Sequence, residues 1–171
     1  MITSKKDAFS LVEITLAIGV ASFCLLTVLA LFPTAQRTIQ NASEQTAAVN
    51  IASEIVSDLR ATLKTIPASA QTSPRFSLAV PAAGGAATQQ TIYFAEGMSP
   101  ILPPDTPAAG ASPTPRYRAT VFLSAPASAT NRSSTVGRVL VTWPALADPV
   151  PASTPAKYNG ALEVLVALDR N

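Results

Sequence analysis

A run of uncharged, mostly apolar residues near the amino terminus constrains the fold of this chain more than any other feature. The residues from Ile14 to Phe32 include no Asp, Glu, Lys or Arg. A helix rises about 1.5 Å per residue, so this run would cover nearly the whole hydrocarbon layer of a bilayer, which is about 30 Å thick. The run therefore predicts one transmembrane helix, which we place at residues 9–32.

Glu13 stands immediately before this run, one turn into the predicted helix. A carboxylate in an apolar membrane helix costs about 2.5 kcal/mol or more unless it has a partner. No basic residue lies within helical reach on its C-terminal side. Ser10 and Glu13 have the spacing of a capping box, which is one explanation for both residues. A capping box does not explain the short basic leader that ends in a small residue before Phe9.

Together these features resemble the amino terminus of type IV pilins and type II secretion pseudopilins. The resemblance rests on three features: a basic leader (Lys5, Lys6), a small residue before an aromatic one (Ala8, Phe9), and an acid near the start of the apolar run (Glu13). It implies that a prepilin peptidase removes residues 1–8 by cleaving between Ala8 and Phe9, that Phe9 is N-methylated, and that Glu13 becomes the fifth mature residue. Family members usually have glycine where this chain has Ala8, and alanine is small enough for the same pocket.

The resemblance also implies a function and a set of partners. Glu13 would supply the countercharge for the freed amino group of Phe9 in a neighbouring subunit, since a buried charge is tolerated when it is paired. The implied function is a structural subunit of a type IV pilus or type II secretion pseudopilus-like filament, joined to other subunits through the N-terminal helix. The long loops favour a minor subunit. The general layout also looks like the pilin-like group called Verru_Chthon cassette protein B.

The basic residues around the span predict its orientation. Lys5 and Lys6 precede it, whereas only Arg37 follows it closely. Because cytoplasmic flanks are enriched in Lys and Arg, the leader is expected in the cytoplasm. The sequence thus predicts a single-pass inner (cytoplasmic) membrane protein whose C-terminal domain is periplasmic or extracellular.

Other processing schemes account for less of the sequence. A secretory signal peptide would be cut after its apolar region, and residues 28–30 form a passable site, but the apolar run is long for such a peptide. A lipoprotein signal needs a small residue before Cys24, where Phe23 stands. An uncleaved signal anchor that carries an extracytoplasmic binding module remains the alternative function.

A second helical segment is predicted after the span. Pro33 lacks an amide hydrogen and is expected to kink or interrupt the helix. Residues 33–66 then form an amphipathic helix that Pro67 closes, with Asp58 on its wet face. Its apolar or small positions recur at spacings of three and four, which is the helical period; they are Ile39, Ala42, Thr46, Val49, Ser53, Val56, Leu59, Leu63 and Ile66.

The remainder, residues 67–171, predicts a β-rich head with proline-rich loops. Residues with alternating or continuous apolar character mark the strands; these runs are 76–80, 92–94, 117–123, 139–143 and 162–168. Prolines from Pro100 to Pro115, and from Pro144 to Pro155, predict two linkers without strands. The expected fold class is α+β, with the long N-terminal helix packed on an antiparallel sheet of four to five strands.

Composition argues against several function classes. The chain has no histidine and one cysteine, so Ser-His-Asp and Cys-His catalytic sites, an intrachain disulfide and a Cys-His metal site are excluded. The net charge is only +2 and is not clustered, which argues against a nucleic-acid partner. We therefore expect no enzyme activity, no cofactor and no metal.

The processing site gives the first testable prediction. Changing Ala8 to leucine should leave a full-length, membrane-held precursor, because the peptidase pocket before Phe9 must accept a small side chain. A mobility shift on a denaturing gel measures this, with Ala8→Gly as the control that should mature normally. Normal maturation of Ala8→Leu would show that cleavage does not occur at this bond.

Overall fold

The computed structural model describes residues 10–65, 69–101, 114–127, 134–147 and 158–169. The leader, with Lys5, Lys6 and Ala8, lies outside these ranges, and so do Phe9, Ile66 and Pro67. The chain forms two compact units, Met1–Ser43 and Glu44–Asn171. The fold class is α+β, as the sequence predicts, with one long N-terminal helix, a five-stranded antiparallel sheet and a two-stranded sheet.

The helix, α1, runs from Leu11 to Arg60. It continues through Pro33, so the predicted interruption at this residue does not occur. Proline removes a single backbone hydrogen bond, and the surrounding leucine- and alanine-rich turns have a high helix propensity that maintains the helix. A bend at Pro33 stays a prediction.

The helix ends at Arg60, earlier than the predicted end at Ile66. The amide of Ala61 lies within hydrogen-bonding distance of the carbonyls of both Ser57 (3.0 Å) and Asp58 (3.2 Å), and the amide of Thr62 donates to Leu59 at 3.3 Å. These shorter-range bonds tighten the last turn, which is a common way for a helix to end. Residues 61–65 are therefore not helical.

The buried face of α1 differs from the predicted one. Val49 and Ile39 are 48% and 69% exposed, although the sequence predicts them on the apolar face. The predicted apolar face of the helix included small polar side chains, whereas the structure buries the longest aliphatic side chains and the alanines between them. The buried apolar positions are Ala48, Ile51, Ala52, Ile55 and Leu59, and only Leu59 belongs to both sets.

In the described ranges, seven strands follow the helix. They are β1 (Gln71–Thr72), β2 (Ala79–Val80), β3 (Thr88–Phe94), β4 (Pro100–Ile101), β5 (Tyr117–Leu123), β6 (Ser134–Trp143) and β7 (Gly160–Asp169). β1 and β2 pair with each other. The remaining strands form one antiparallel sheet in the order β4-β3-β5-β6-β7. A short 3-10 helix, Ala145–Ala147, follows β6.

The alternating pattern predicted the inner face of the sheet correctly. In the register of β5 and β6, Val121 lies opposite Val139 and Ala119 opposite Val141, and all four side chains are fully buried. They form one core cluster with the buried face of α1 and with Phe76, Leu78 and Val80. The core of the second unit is therefore built from the end of the helix, the hairpin and the large sheet.

Two strand predictions were wrong. The predicted strand over residues 76–80 is reduced to β2, which pairs with β1 in a separate hairpin. Pro100, which the sequence assigned to a linker, lies in β4. Among the described strands, β4 pairs only with β3 and lies at the edge of the sheet, where a proline is tolerated because its missing amide hydrogen need not meet a second strand.

Gly160, where β7 begins, is required by close packing. A Cβ atom at this position would lie 2.2 Å from Cζ2 of Trp143, so no other residue fits without moving the indole ring. The amide of Asn159 donates to the carbonyl of Trp143 at 2.8 Å and fixes the start of the β6–β7 register. The Asn-Gly pair predicted this strand start, but the reason for the glycine is its contact with tryptophan.

Asp58, predicted on the wet face of α1, is in fact 5% exposed. Its carboxylate accepts hydrogen bonds from the Ser73 hydroxyl (2.5 Å) and from the backbone amides of Arg75 (2.8 Å) and Phe76 (3.1 Å). The loop between β1 and β2 turns away from the strand ladder here, so these donors need another acceptor. Asp58 provides it and holds Phe76 in the core.

A second polar contact joins the helix to the large sheet. The Glu44 carboxylate, only 13% exposed, forms an ion pair with the guanidinium of Arg116, just before β5. The backbone amide of Arg116 donates to the carbonyl of Phe94 at 2.8 Å. Glu44 is the first residue of the second unit, and its ion pair connects the helix to the start of β5, the central strand of the large sheet.

The role of Asp58 gives a stability prediction. Asp58→Asn places an amide group among hydrogen-bond donors and should cost about 1–3 kcal/mol, because at least one buried donor loses its acceptor. The thermal midpoint of the full chain in detergent, followed by circular dichroism, should fall by about 3–10 °C. Ser57→Ala, at the exposed neighbouring position, is the matched control. Equal midpoints for Asp58→Asn and the wild type would contradict this role.

Candidate functional site

The start of α1 is held by backbone hydrogen bonds. The carbonyl of Ser10 accepts from the amides of Glu13 (3.0 Å) and Ile14 (3.2 Å). Within residues 10–65, no side-chain hydrogen bond of the capping-box kind joins Ser10 and Glu13. The carboxylate of Glu13 is thus not engaged in capping its own helix.

Glu13 lies in the first turn of α1, between large apolar side chains. Its neighbours Val12 and Ile14 are 71% and 47% exposed, and Glu13 itself is exposed. An acid near a helix N-terminus gains about 0.3–1 kcal/mol from the helix dipole. That gain is smaller than the cost of about 2.5 kcal/mol for a charge inside an apolar layer. Within the part of the chain that the structure describes, no cation forms an ion pair with Glu13.

The apolar side chains of the first unit are exposed along its whole described length. They include Leu11, Leu16, Ile18, Val20, Phe23, Leu25, Leu26, Val28, Leu29, Leu31 and Phe32, each more than half exposed. The helix is long and apolar enough to cross a membrane, by length and composition. Nothing in its most apolar stretch is buried against the chain itself.

Two polar side chains in this stretch are satisfied within the helix. The Thr15 hydroxyl donates to the carbonyl of Val12 at 2.9 Å, and the Thr27 hydroxyl donates to that of Cys24 at 2.7 Å. Such bonds return side-chain donors to the backbone, so the threonines can sit in hydrocarbon without unsatisfied groups. The exposed Cys24 thiol is a weakly polar group that apolar surroundings tolerate.

Of the sequence-predicted site residues, the structure describes Glu13 and Pro33 and does not bring these two together. The cleavage site at Ala8 and Phe9 and the topology residues Lys5 and Lys6 lie outside the described ranges. Glu13 and Pro33 are both on α1, and twenty residues of helix separate them by about 30 Å. Cleavage, methylation and orientation stay predictions, and Glu13 is the candidate site that can be described.

The described residues of the head form an open groove. A groove of about 570 Å³ lies beside the β1–β2 hairpin, and the polar side chains that line it are those of Gln71, Thr72 and Thr88. Its other described lining residues are glycine, alanine, valine and proline. Across the described part of the chain, no group of three or more His, Cys, Asp or Glu side chains could hold a metal ion.

Comparisons with known proteins identify no relative of this chain. No protein-family model matches the sequence, and neither the curated proteins nor the solved structures contain a significant match.

The single cysteine allows a direct test of the membrane span. In sealed membranes, Cys24 should resist a membrane-impermeant maleimide because the middle of the span is in hydrocarbon. Leu63→Cys in a Cys24→Ser background should be labelled, since position 63 lies in the second unit and is 75% exposed. Mass shift on a gel measures both reactions, and denaturation in detergent is the control that should expose Cys24. Rapid labelling of Cys24 in intact membranes would contradict the span.

Proposed function

We propose that this chain is a pilin-like structural subunit, a minor (pseudo)pilin of a type IV pilus or type II secretion pseudopilus-like filament. In this proposal, a prepilin peptidase cleaves before Phe9 and the new amino terminus is N-methylated. The chain is held in the inner membrane with its head on the periplasmic or extracellular side. It joins other subunits through its N-terminal helix, and it has no catalytic role.

The observation that carries the proposal is the difference in side-chain burial between the two parts of α1. The described residues of the first unit bury none of their large apolar side chains, whereas Ile51, Ile55 and Leu59 of the same helix are buried in the head. An apolar surface of this extent is unfavourable in water by about 25 cal/mol per Å². It therefore has to be covered by lipid, by other helices, or by both in turn, as a filament subunit requires.

The position of Glu13 favours a role in filament assembly over simple anchoring of the head to the membrane. An anchor that only holds a head to the membrane gains nothing from an acid at this position, because apolar residues insert more favourably. The acid becomes useful if a neighbouring subunit supplies a cation inside the apolar layer. The freed amino group of Phe9 is such a cation, and its pairing with Glu13 would align adjacent subunits.

The length and proline content of two connections support a minor subunit. The segments that join β4 to β5 and β6 to β7 are long and proline-rich. A subunit repeated through a whole lattice is better served by compact connections, whereas a subunit present in few copies tolerates long ones. The alternative is an uncleaved, signal-anchored binding module, and the groove beside the hairpin gives it a surface to use.

Glu13→Val tests the proposal. The variant should be processed and held in the membrane normally, because neither event uses the carboxylate. Removing one partner of a buried ion pair costs about 3–5 kcal/mol, which corresponds to a loss of association of roughly a hundredfold to a few thousandfold. Crosslinking of the variant to its filament partners, beside the wild type, measures this loss.

Thr15→Val is the matched control, since it also replaces a polar side chain on α1 by valine but removes no charge. It should assemble like the wild type. Undiminished association of Glu13→Val would remove the main reason for a filament role. The mass of the mature amino terminus separates the two functions independently: methylated Phe9 fits the filament subunit, and an intact Met1 fits the signal anchor.

A further inference from the structure

Strand β7 presents a long open edge. It has ten residues and pairs with β6 along its whole length, from Gly160 opposite Trp143 to Asp169 opposite Ser134. On its other side, no strand of the described chain pairs with it. A free edge exposes backbone amides and carbonyls that can pair with another strand.

This edge lacks several of the features that prevent such pairing. Protected edges are short, are interrupted by proline or a bulge, or carry charged side chains, most often lysine. The two charged side chains of β7, Glu163 and Asp169, are already in ion pairs with Arg138 and Lys64. β7 contains no proline or lysine, and its register with β6 is continuous. The opposite edge of the sheet, β4, has only two residues and begins with Pro100. The sheet therefore protects one edge and leaves the other open.

β7 leaves apolar side chains uncovered on both faces of the sheet, although its outer face also carries Glu163 and Asp169. Leu162 and Val164 face the core but are only partly buried, so the core is incompletely covered near this edge. On the outer face, Leu165 is 71% exposed, and Val136 on the neighbouring strand is 55% exposed. An added strand would cover apolar surface on both faces at once.

A second copy of β7 fits this edge in one favourable register. In an antiparallel pair with a two-fold axis at Leu165, Leu165 meets its own copy, which buries the most exposed side chain of the strand. On the inner face, Val164 meets Val166 and Leu162 meets Leu168. On the outer face, Glu163 meets Ala167 and Asp169 meets Ala161. No two acids lie opposite each other.

Neighbouring registers are less favourable. Centring the axis on Glu163 places two glutamates opposite each other, and centring it on Val166 places Glu163 opposite Asp169; like charges in direct opposition are destabilising. Centring it on Val164 leaves Leu168 opposite Gly160, which has no side chain to contact. The sequence of β7 thus favours the pair centred on Leu165.

From these observations we infer that β7 is a self-association edge, through which two copies of this chain join their sheets antiparallel about a two-fold axis at Leu165. The inference concerns the head and does not depend on the proposed filament role. Pairing of this kind uses backbone hydrogen bonds for affinity and alternate side chains for register.

Cysteine crosslinking of the full chain in its membrane tests the pairing, in a Cys24→Ser background that removes the native thiol. In Leu165→Cys, the two copies would have Cα atoms about 4.5–5.5 Å apart, within the range of about 4.4–6.8 Å that a disulfide needs. We expect at least a tenfold higher dimer yield than for Leu63→Cys, which is similarly exposed but lies outside β7. Equal yields would overturn the inference.

A mixed pair tests the register. Glu163→Cys and Ala167→Cys, coexpressed with different tags, should crosslink to each other. Each variant alone should not, because its two copies would be about 13 Å apart along the strand. Crosslinking of either variant to itself, or no crosslinking in the mixture, would overturn the proposed register.

Leu165→Lys provides a test without cysteines. Two lysines would face each other at the axis, and the side chain is exposed in the single copy, so the head should remain folded. We expect at least a tenfold loss of association between heads. Photo-crosslinking in detergent, with a reagent that does not react with amines, measures this loss. Leu63→Lys is the control. Association unchanged by Leu165→Lys would show that another surface or another occupant is responsible.

Discussion

The structure depends on one helix that serves two environments. Along α1, the same backbone geometry presents exposed leucines and phenylalanines in the first unit and buried isoleucines and alanines in the second. Helix formation satisfies the backbone in both settings, which is the condition for entering lipid and also for packing in a core. The side chains alone decide which environment each part of the helix can occupy.

In the second unit, two acids on the helix determine how it meets the strands. Glu44 contacts Arg116 at the start of β5, and Asp58 binds the turn that follows β1. Between them, Ile51 and Ile55 supply the apolar contact with the core. Polar contacts at the two ends and apolar contacts in the middle fix the position of this part of the helix against the sheet, which burial alone would specify less closely.

The sequence predicted those features that strong local patterns encode. The alternation in residues 117–123 is so regular that β5 has the predicted bounds, and its inner face is buried as expected. The helix face was missed because alanine, serine and threonine can lie on either side of an amphipathic helix, so their spacing does not locate the core. Asp58 was missed because its partners, Ser73, Arg75 and Phe76, are set by a turn that no periodicity reveals.

For the candidate site, the sequence identified Glu13 through its position in an apolar run, since a charge there needs a physical reason. Among the residues that the structure describes, no cation is paired with Glu13, so its role stays a prediction. The open edge of β7 was not predicted at all. An edge strand and a central strand can have the same alternating pattern, and only the order of strands in the sheet distinguishes them.

The hydrogen bonds of Asp58 also bear on how freely the loops can change length. They join residues only fifteen to eighteen positions apart, so the turn after β1 is anchored without any contribution from the proline-rich connections. The entropy of closing a flexible loop rises slowly, by about 0.6 kcal/mol for each doubling of its length. Insertions between β4 and β5, or between β6 and β7, would therefore cost the head little and leave the hairpin in place. Changes in the length of these connections therefore need not alter the contacts by which Asp58 anchors the hairpin.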